Sequence, residues 1–458
     1  MNLRKFPYAD RVSSISISRL IGTESVMNLD LSDFARLQKF RLVSNNSNLK
    51  LKLSPNIFEN LTDLAIDNIF DSEFYSKFVN LRIFEIYIQK GRNFEIKFIP
   101  REVNTMTIVA ENLKETKYIS DGQVIVHSPE DWPPNLRHLT LDDSNNSDGV
   151  FNDAICKLPP YLTKLEVAGY PINQILSQIP ITVTHLYLTF TFPTSGVEKS
   201  SLDFPPSLQM LKLEGLVLET TDKIYNVPKG VKSLYLFSCD FSMSLNNLNF
   251  DSCKSSLEWL QFANCLDFFS LANVDYSEFS RLNEIRFSCC MISSLTNFRP
   301  PSCLNSLHIS DNPIVSIDES CPLFNNERGY PLLKWICIDD CQISFISPNI
   351  ELPTNLTDLT ITDSTTKVFY FNSSIARHVS LKYLHLSKLS RIEFCDDIHE
   401  SCKESNFSLM DLTVTNDFFS TLPEALSIFY DKLELYMGRT LCNRESKQES
   451  GYICYCFR

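Results

Sequence analysis

Along most of this chain the apolar positions recur in one frame, apolar-x-x-apolar-x-apolar, closed in its best-formed copies by Asn or Cys three residues later. LNSLHISDNPI is the fullest example, with Leu304, Leu307, Ile309, Asn312 and Ile314 in the frame. The central x-apolar-x-apolar step has the two-residue period of a β-strand with one buried face. The Asn or Cys after it turns the chain and satisfies backbone groups that would otherwise be buried bare. The first frame position falls at 37, 61, 81, 103, 136, 162, 183, 208, 231, 257, 282, 304, 333, 356, 381 and 409. The mean spacing is about 25 residues, inside the roughly 20–29 of a strand-and-return unit. One such unit cannot bury its own apolar face, so neighbouring copies must stack.

This frame is that of the leucine-rich repeat, and it predicts an α/β fold: a solenoid with a curved parallel β-sheet on its concave face. The shorter intervals leave little room for full helices, so the convex face is expected to hold mostly loops, 3-10 turns and short helices. One such helix is expected near Val150–Leu158. Residues 1–441 read as a single solenoid, with degenerate repeats over 1–131, regular ones over 132–441 and a C-terminal tail at 442–458. Val12-Ile15-Ile17 and Val26-Leu29-Leu31 have only the strand core and are expected as the first coils. From Leu113 to Asp131 the rhythm breaks, as an eroded repeat or an insertion would make it do. A last strand is expected at Leu433–Tyr436.

From Trp132 onward a proline precedes each strand, in WPPNLRHLTL, LPPYLTKLEV, IPITVTHLYL, FPPSLQMLKL, VPKGVKSLYL, RPPSCLNSLHI, YPLLKWICI and LPTNLTDLTI. Proline has a fixed φ and no N–H, which predicts an extended lead-in at the corner between the convex side and the strand.

Composition narrows the function. The formal net charge of −13 opposes nucleic acid or an anionic membrane as the main ligand. The first twenty residues lack an apolar core run, and no run of about 18 apolar residues occurs anywhere. Neither a secretory signal nor a membrane span is therefore expected. The 15 cysteines are odd in number, which favours a reducing cytoplasm or nucleus over a disulfide framework. The sequons at Asn45, Asn60, Asn145, Asn355, Asn372 and Asn406 then read as incidental to Asn- and Ser-rich loops.

Candidate chemistry is sparse. Cys239, Cys265, Cys290 and Cys341 occupy the closing position of the frame and are expected to pack as small apolar residues. Cys442, Cys454 and Cys456 form a loose cluster, but a zinc site needs four converging ligands, and no metal is expected. His138, His185, His308 and His385 stand at outward strand positions on coils that are not neighbours. No nucleophile elbow, phosphate loop, dinucleotide fingerprint or metalloprotease motif is present. The expectation is a non-enzyme without cofactors.

The strand face itself is the informative constellation. If Leu307 and Ile309 point inward, the same register turns Tyr187, Tyr235, Phe237, Trp259, Arg286, His308, Trp335 and Tyr383 outward. Glu166, Glu214, Glu284, Asp339, Asp358 and Asp411 are interspersed. Large rings beside charges suit a protein-binding surface, with Trp259 and Trp335 as anchors and Trp132 left at a corner.

With its WPPNLRHLTL-type lead-ins, irregular repeat lengths and Cys at the turn, the chain resembles fungal, yeast- and Candida-like leucine-rich-repeat proteins over nearly its whole length. Many of these are similar to F-box proteins. That resemblance implies a substrate receptor of an SCF-type ubiquitin ligase, with a Skp-type adaptor and a cullin as partners. No F-box of about 45 residues precedes the first repeat, and LPEALSIFYDKL only superficially resembles an F-box opening. The alternative is a leucine-rich-repeat scaffold, small-GTPase-regulator-like, with no ubiquitin role.

Overall fold

The computed structural model of this chain describes residues 8–18, 27–43, 49–67, 70–88, 93–110, 123–143, 150–170, 175–190, 204–216, 225–240, 248–265, 271, 274–296, 298–325, 330–362, 368–371, 373–376, 378–387, 391–394, 411–415, 436–437 and 453–456. The chain divides into two compact units, Met1–Leu216 and Val217–Arg458.

In the N-terminal unit nine strands pair in parallel and in chain order: β1 (Ser14–Ser18), β2 (Lys39–Val43), β3 (Asp63–Asp67), β4 (Ile83–Ile88), β5 (Thr105–Ala110), β6 (His138–Asp142), β7 (Lys164–Ala168), β8 (His185–Thr189) and β9 (Met210–Glu214). The register keeps frame position on frame position, so Phe40, Leu64, Phe84, Met106, Leu139, Leu165, Leu186 and Leu211 form one buried row.

The C-terminal unit repeats the arrangement with β10 (Ser233–Phe237), β11 (Trp259–Ala263), β12 (Glu284–Ser288), β13 (Ser306–Ser310), β14 (Trp335–Asp339), β15 (Asp358–Thr362), β16 (Tyr383–Ser387) and β17 (Asp411–Thr415). Two more strands follow, β18 (Tyr436–Met437) and β19 (Ile453–Cys456). β19 lies antiparallel to both β17 and β18. Part of the tail beyond residue 441 is thus a strand.

Among the described residues the first frame positions are almost completely buried. From Leu37 to Leu356 none exceeds 1% exposure, and Leu381 is at 2%. Each is a knob in a coil covered by neighbours, which stabilises it by about 1.5–3 kcal/mol for a fully buried aliphatic side chain.

The back of the coils carries the expected 3-10 turns and short helices, one of them inside Val150–Leu158, and adds strand pairs that were not expected. Short helices are present, at Pro55–Asn60, Ser72–Tyr75, Asn152–Cys156 and Ser373–Ala376. Alongside them run parallel strand pairs: Met27–Asp30 with Leu49–Lys52, Phe94–Glu95 with Val124–Ile125, Tyr225–Asn226 with Leu248–Asn249, Ser316–Ile317 with Phe345–Ile346, and Val368–Phe371 with Arg391–Phe394. Val26-Leu29-Leu31 is therefore back strand, not a second front strand. Too few residues separate it from Val12 to close a coil. The irregular stretch after Leu113 likewise carries a back strand at Val124–Ile125, inside one long coil; residues 111–122 lie outside the described set.

The prolines also do something other than extend the lead-in. The carbonyls of Pro133, Pro159, Pro180, Pro205, Pro228, Pro301 and Pro353 each accept a hydrogen bond from the N–H three residues on, at 3.0–3.4 Å. That N–H belongs to the first frame residue, so each proline opens a tight turn at the corner. The two described sequons serve the same corner. Asn60 Nδ2 donates to Ala35 O at 2.8 Å and Asn355 Nδ2 to Pro331 O at 2.8 Å, while the Thr62 and Thr357 hydroxyls donate to Gln38 O and Lys334 O of the preceding coil.

Seven strands, β7 and β9 to β14, leave the sheet through a residue in the left-handed region. Gly169 and Gly215 do so in the N-terminal unit; Ser238, Asn264, Cys289, Asp311 and Asp340 do so in the other, with φ between 45° and 56°. The N–H of Ser238, Asn264, Cys289 and Asp311 reaches the strand-end carbonyl of the next coil at 2.7–3.0 Å. This extends the ladder one residue and swings the following Cys or Asn inward.

Candidate functional site

In the C-terminal unit the register sorts the outward side chains into rows that cross the strands. One row reads Ser233, Trp259, Glu284, Ser306, Trp335, Asp358, Tyr383. The next, two residues along each strand, reads Tyr235, Gln261, Arg286, His308, Cys337, Thr360, His385. Adjacent members of a row are held at the strand spacing of about 4.8 Å.

Six of the eight sequence-selected residues form two packed groups on this face. Tyr235 stacks on Phe237 with centroids 6.3 Å apart and meets Trp259 at 6.2 Å. The Arg286 guanidinium lies 4.7 Å over the Trp259 ring, and its Nε donates to Glu284 Oε1 at 2.7 Å. In the second group His308 stacks on Trp335, centroids 5.8 Å apart and planes 23° from parallel. These side chains are half-buried, and Tyr383 stands more open at 48% exposure. Trp259 Nε1 and His308 Nδ1 are buried and lack a hydrogen-bond partner. Burial, and then the positive charge of Arg286, hold His308 below the ordinary histidine range, so the ring is neutral at neutral pH.

Tyr187 belongs to the N-terminal unit and has its own surroundings there. Lys164 Nζ sits 4.9 Å over its ring and 2.7 Å from Glu166 Oε1, and the tyrosine hydroxyl donates to Met210 Sδ at 2.9 Å. The same unit carries a network that sequence reasoning missed. Arg41 Nη2 contacts Glu85 Oε1 at 3.2 Å and Tyr87 Oη at 2.6 Å, and Tyr87 in turn donates to Glu85. Its signal was the outward alternation of KFRLV and IFEIYI, which the worn frame of the early repeats obscured.

The closing side chains bond their own strand ends, and Cys265 also makes a rung to the preceding coil, its Sγ 3.5 Å from Leu236 O. Cys239, Cys265, Cys290 and Cys341 are at most 1% exposed, and their thiols reach strand-end carbonyls, as from Cys290 Sγ to Ser288 O at 3.2 Å. The hydrogen bond with Cys265, and burial, hold the Cys290 thiol well above its usual range. Asn312 makes a stronger rung. Its Oδ1 accepts from Cys290 N and Ile292 N at 3.0 and 3.1 Å, and its Nδ2 donates to Phe287 O and Ser310 O at 3.1 and 2.6 Å. Trp132 is a corner residue, 3% exposed, with Nε1 donating to Lys157 O at 2.8 Å. Among the described residues no three His, Cys, Asp or Glu side chains converge as a metal site. Cys442 and the segment LPEALSIFYDKL lie outside the described residues, and the side chains of Cys454 and Cys456 are not described.

No family model matches this chain. A curated adenylate cyclase of Schizosaccharomyces pombe is 25% identical over 402 residues, covering 84% of this chain and 22% of that protein. The chain thus spans about a fifth of the relative's length. This match overturns the expectation of a non-enzyme, because the similar protein is named for a catalytic activity. Among solved structures, CroV588, a circular leucine-rich-repeat protein, has 15% identity and a TM-score of 0.47, covering 84% of this chain and 58% of its own. A leucine-rich-repeat protein of Leptospira interrogans has 15% identity and a TM-score of 0.44, covering 82% of this chain and 91% of its own. Parallel strands in chain order, frame leucines stacked on one another and a run of Cys and Asn closing the turns from Cys239 to Cys341 together make this fold a leucine-rich-repeat solenoid.

Proposed function

We infer that the strand face of the C-terminal unit is a protein-binding surface. The observation that carries this reading is the contiguous set Tyr235, Phe237, Trp259, Arg286, His308 and Trp335, half-exposed rings with a cation among them, on strands whose other face is fully buried. Interface cores favour these residue types, since aromatics and arginine give a large contact area for little lost freedom. The ten cysteines whose side chains are described are free thiols, which is in keeping with a cytoplasmic or nuclear setting. Affinity capture by the full chain, compared with a W259A/W335A double variant of unchanged melting temperature, tests the reading. Loss of specific partners in the variant supports it; an unchanged partner set overturns it.

The similarity to an adenylate cyclase favours a second reading, in which this repeat segment works alongside nucleotide-cyclising chemistry. Its test is cyclic AMP formation from ATP and a divalent cation, by the chain alone and by captured complexes. Absence of product from both overturns it. The finer forms of the binding role, SCF-type substrate receptor or small-GTPase-regulator-like scaffold, separate in the same capture: a Skp-type adaptor with cullin marks the first, a small GTPase without them the second.

A further inference from the structure

The C-terminal unit contains one constellation twice. In the first copy Ser233 and Tyr235 of β10 flank Trp259 of β11 on one side, and Glu284 and Arg286 of β12 flank it on the other. In the second, Ser306 and His308 of β13 flank Trp335 of β14, and Asp358 and Thr360 of β15 lie beyond it. Each tryptophan therefore has a ring packed against it from the preceding strand and a carboxylate directly opposite on the following strand. The copies differ at the last position. Arg286 fills its copy, its guanidinium over the indole and its Nε on the carboxylate. Thr360, at the equivalent place, carries no charge and is too short to cover the ring.

Trp335 has His308 against it, and Asp358 accepts the hydroxyl of its neighbour Thr357; among the described residues no cation lies over this ring or pairs with this carboxylate. A ring face beside a carboxylate attracts a guanidinium twice over, through the ring quadrupole and through a charge-assisted hydrogen bond. The N-terminal unit uses the same chemistry with an ammonium, Lys164 lying over Tyr187 and against Glu166. Around Trp335 the outward strand positions from β13 to β16 hold Asp339 and Asp358 and neither lysine nor arginine; Lys334 and Lys382 precede the strands at the exposed corner. His308 does not supply the missing charge, being held neutral by burial and Arg286.

Resting on the reading of this face as a binding surface, we propose that Trp335 and Asp358 form the seat for an arginine side chain of a partner protein, which takes the place that Arg286 takes beside Trp259. Cation recognition is then the specificity of the surface, and a basic segment is the chemistry it selects.

The test uses the full chain labelled with 5-fluorotryptophan, whose three tryptophans give separate fluorine signals, the Trp335 signal being assigned through Trp335→Phe. The probe is the capped peptide Gly-Arg-Gly-Arg-Gly, with its citrulline counterpart as the neutral isostere. The arginine peptide is expected to shift the Trp335 signal and to bind at least fivefold more weakly to Asp358→Asn. Thr360→Arg, which supplies an internal occupant, is expected to shift that signal by itself and to abolish peptide binding. Melting curves confirm that both variants fold. Equal binding of the citrulline peptide, undiminished binding by Thr360→Arg, or tighter binding of tetramethylammonium than of the arginine peptide overturns the seat. If Thr360→Arg and Asp358→Asn keep every partner that W259A/W335A loses, the seat is refuted and the binding surface stands. If W259A/W335A loses none, the surface reading falls with it.

Discussion

Replacing Asn312 by alanine removes a side chain that ties two coils together through four buried hydrogen bonds. Asn312 is 2% exposed, and its amide serves Cys290 N, Ile292 N and Phe287 O of one coil and Ser310 O of its own. At a net contribution near 1 kcal/mol for each bond, the variant loses about 4 kcal/mol of local stability. The two orphaned N–H groups matter most, because thiols at the neighbouring closing positions donate but accept poorly. Hydrogen exchange read by mass spectrometry over peptides spanning residues 285–295 measures this locally, where a single global midpoint is ill-defined for a repeat array. A 4 kcal/mol loss corresponds to exchange roughly a thousandfold faster at Cys290 and Ile292, at a factor of ten for about every 1.4 kcal/mol. Asn312→Cys restores one donor and recovers about 1 kcal/mol of that. Unchanged protection of those two amides in Asn312→Ala would refute the idea that the amide rung holds the coils.

Three further outcomes follow from the packing and the electrostatics. Leu307, fully buried between stacked coils, costs about 2–5 kcal/mol when cut to alanine, and a normal melting curve for that variant would overturn the register. Gly215 has φ +73°, and a Cβ there would collide with the Phe190 carbonyl oxygen, so Gly215→Ala should lower stability by more than about 1 kcal/mol in denaturant melts. Burial holds His378 below its ordinary range; its ring lies between Leu381 N, which donates to Nδ1 at 3.0 Å, and Pro353 O, 2.8 Å from Nε2. Its folded pKa is the lower one, so the unfolded chain binds the proton first. The stability is complete above about pH 6.5 and is lost as pH falls toward the folded value; His378→Asn should flatten that acid-side slope in melts between pH 7 and 5.

What could be read from the sequence was whatever repeats at fixed spacing. Leu304, Leu307 and Ile309 define a strand and its buried face because the two-residue period belongs to the backbone, and the inward turn of Cys239 or Asn312 follows from the same frame. The left-handed exits were hidden, since Ser238, Asn264, Cys289, Asp311 and Asp340 share a backbone conformation and no side-chain chemistry. The proline corner was visible as a corner but misjudged in form: an isolated proline fixes its own φ, whereas the turn depends on its carbonyl meeting an N–H three residues on. The face rings were legible singly. Their grouping was not, because the pairing of Trp259 with Glu284, and of Trp335 with Asp358, spans coils of unequal length and needs the register between them.

The left-handed exits bear on how far the chain stands from its own stability optimum. A non-glycine residue in that region costs roughly 1–2 kcal/mol, less for Asn and Asp, while glycine there forfeits about 0.5–1 kcal/mol of chain entropy. At Ser238 and Cys289 the exchange favours glycine, yet the chain keeps a side chain at each. One edge of the C-terminal unit thus holds an untapped reserve, open to stabilisation by glycine without touching the core.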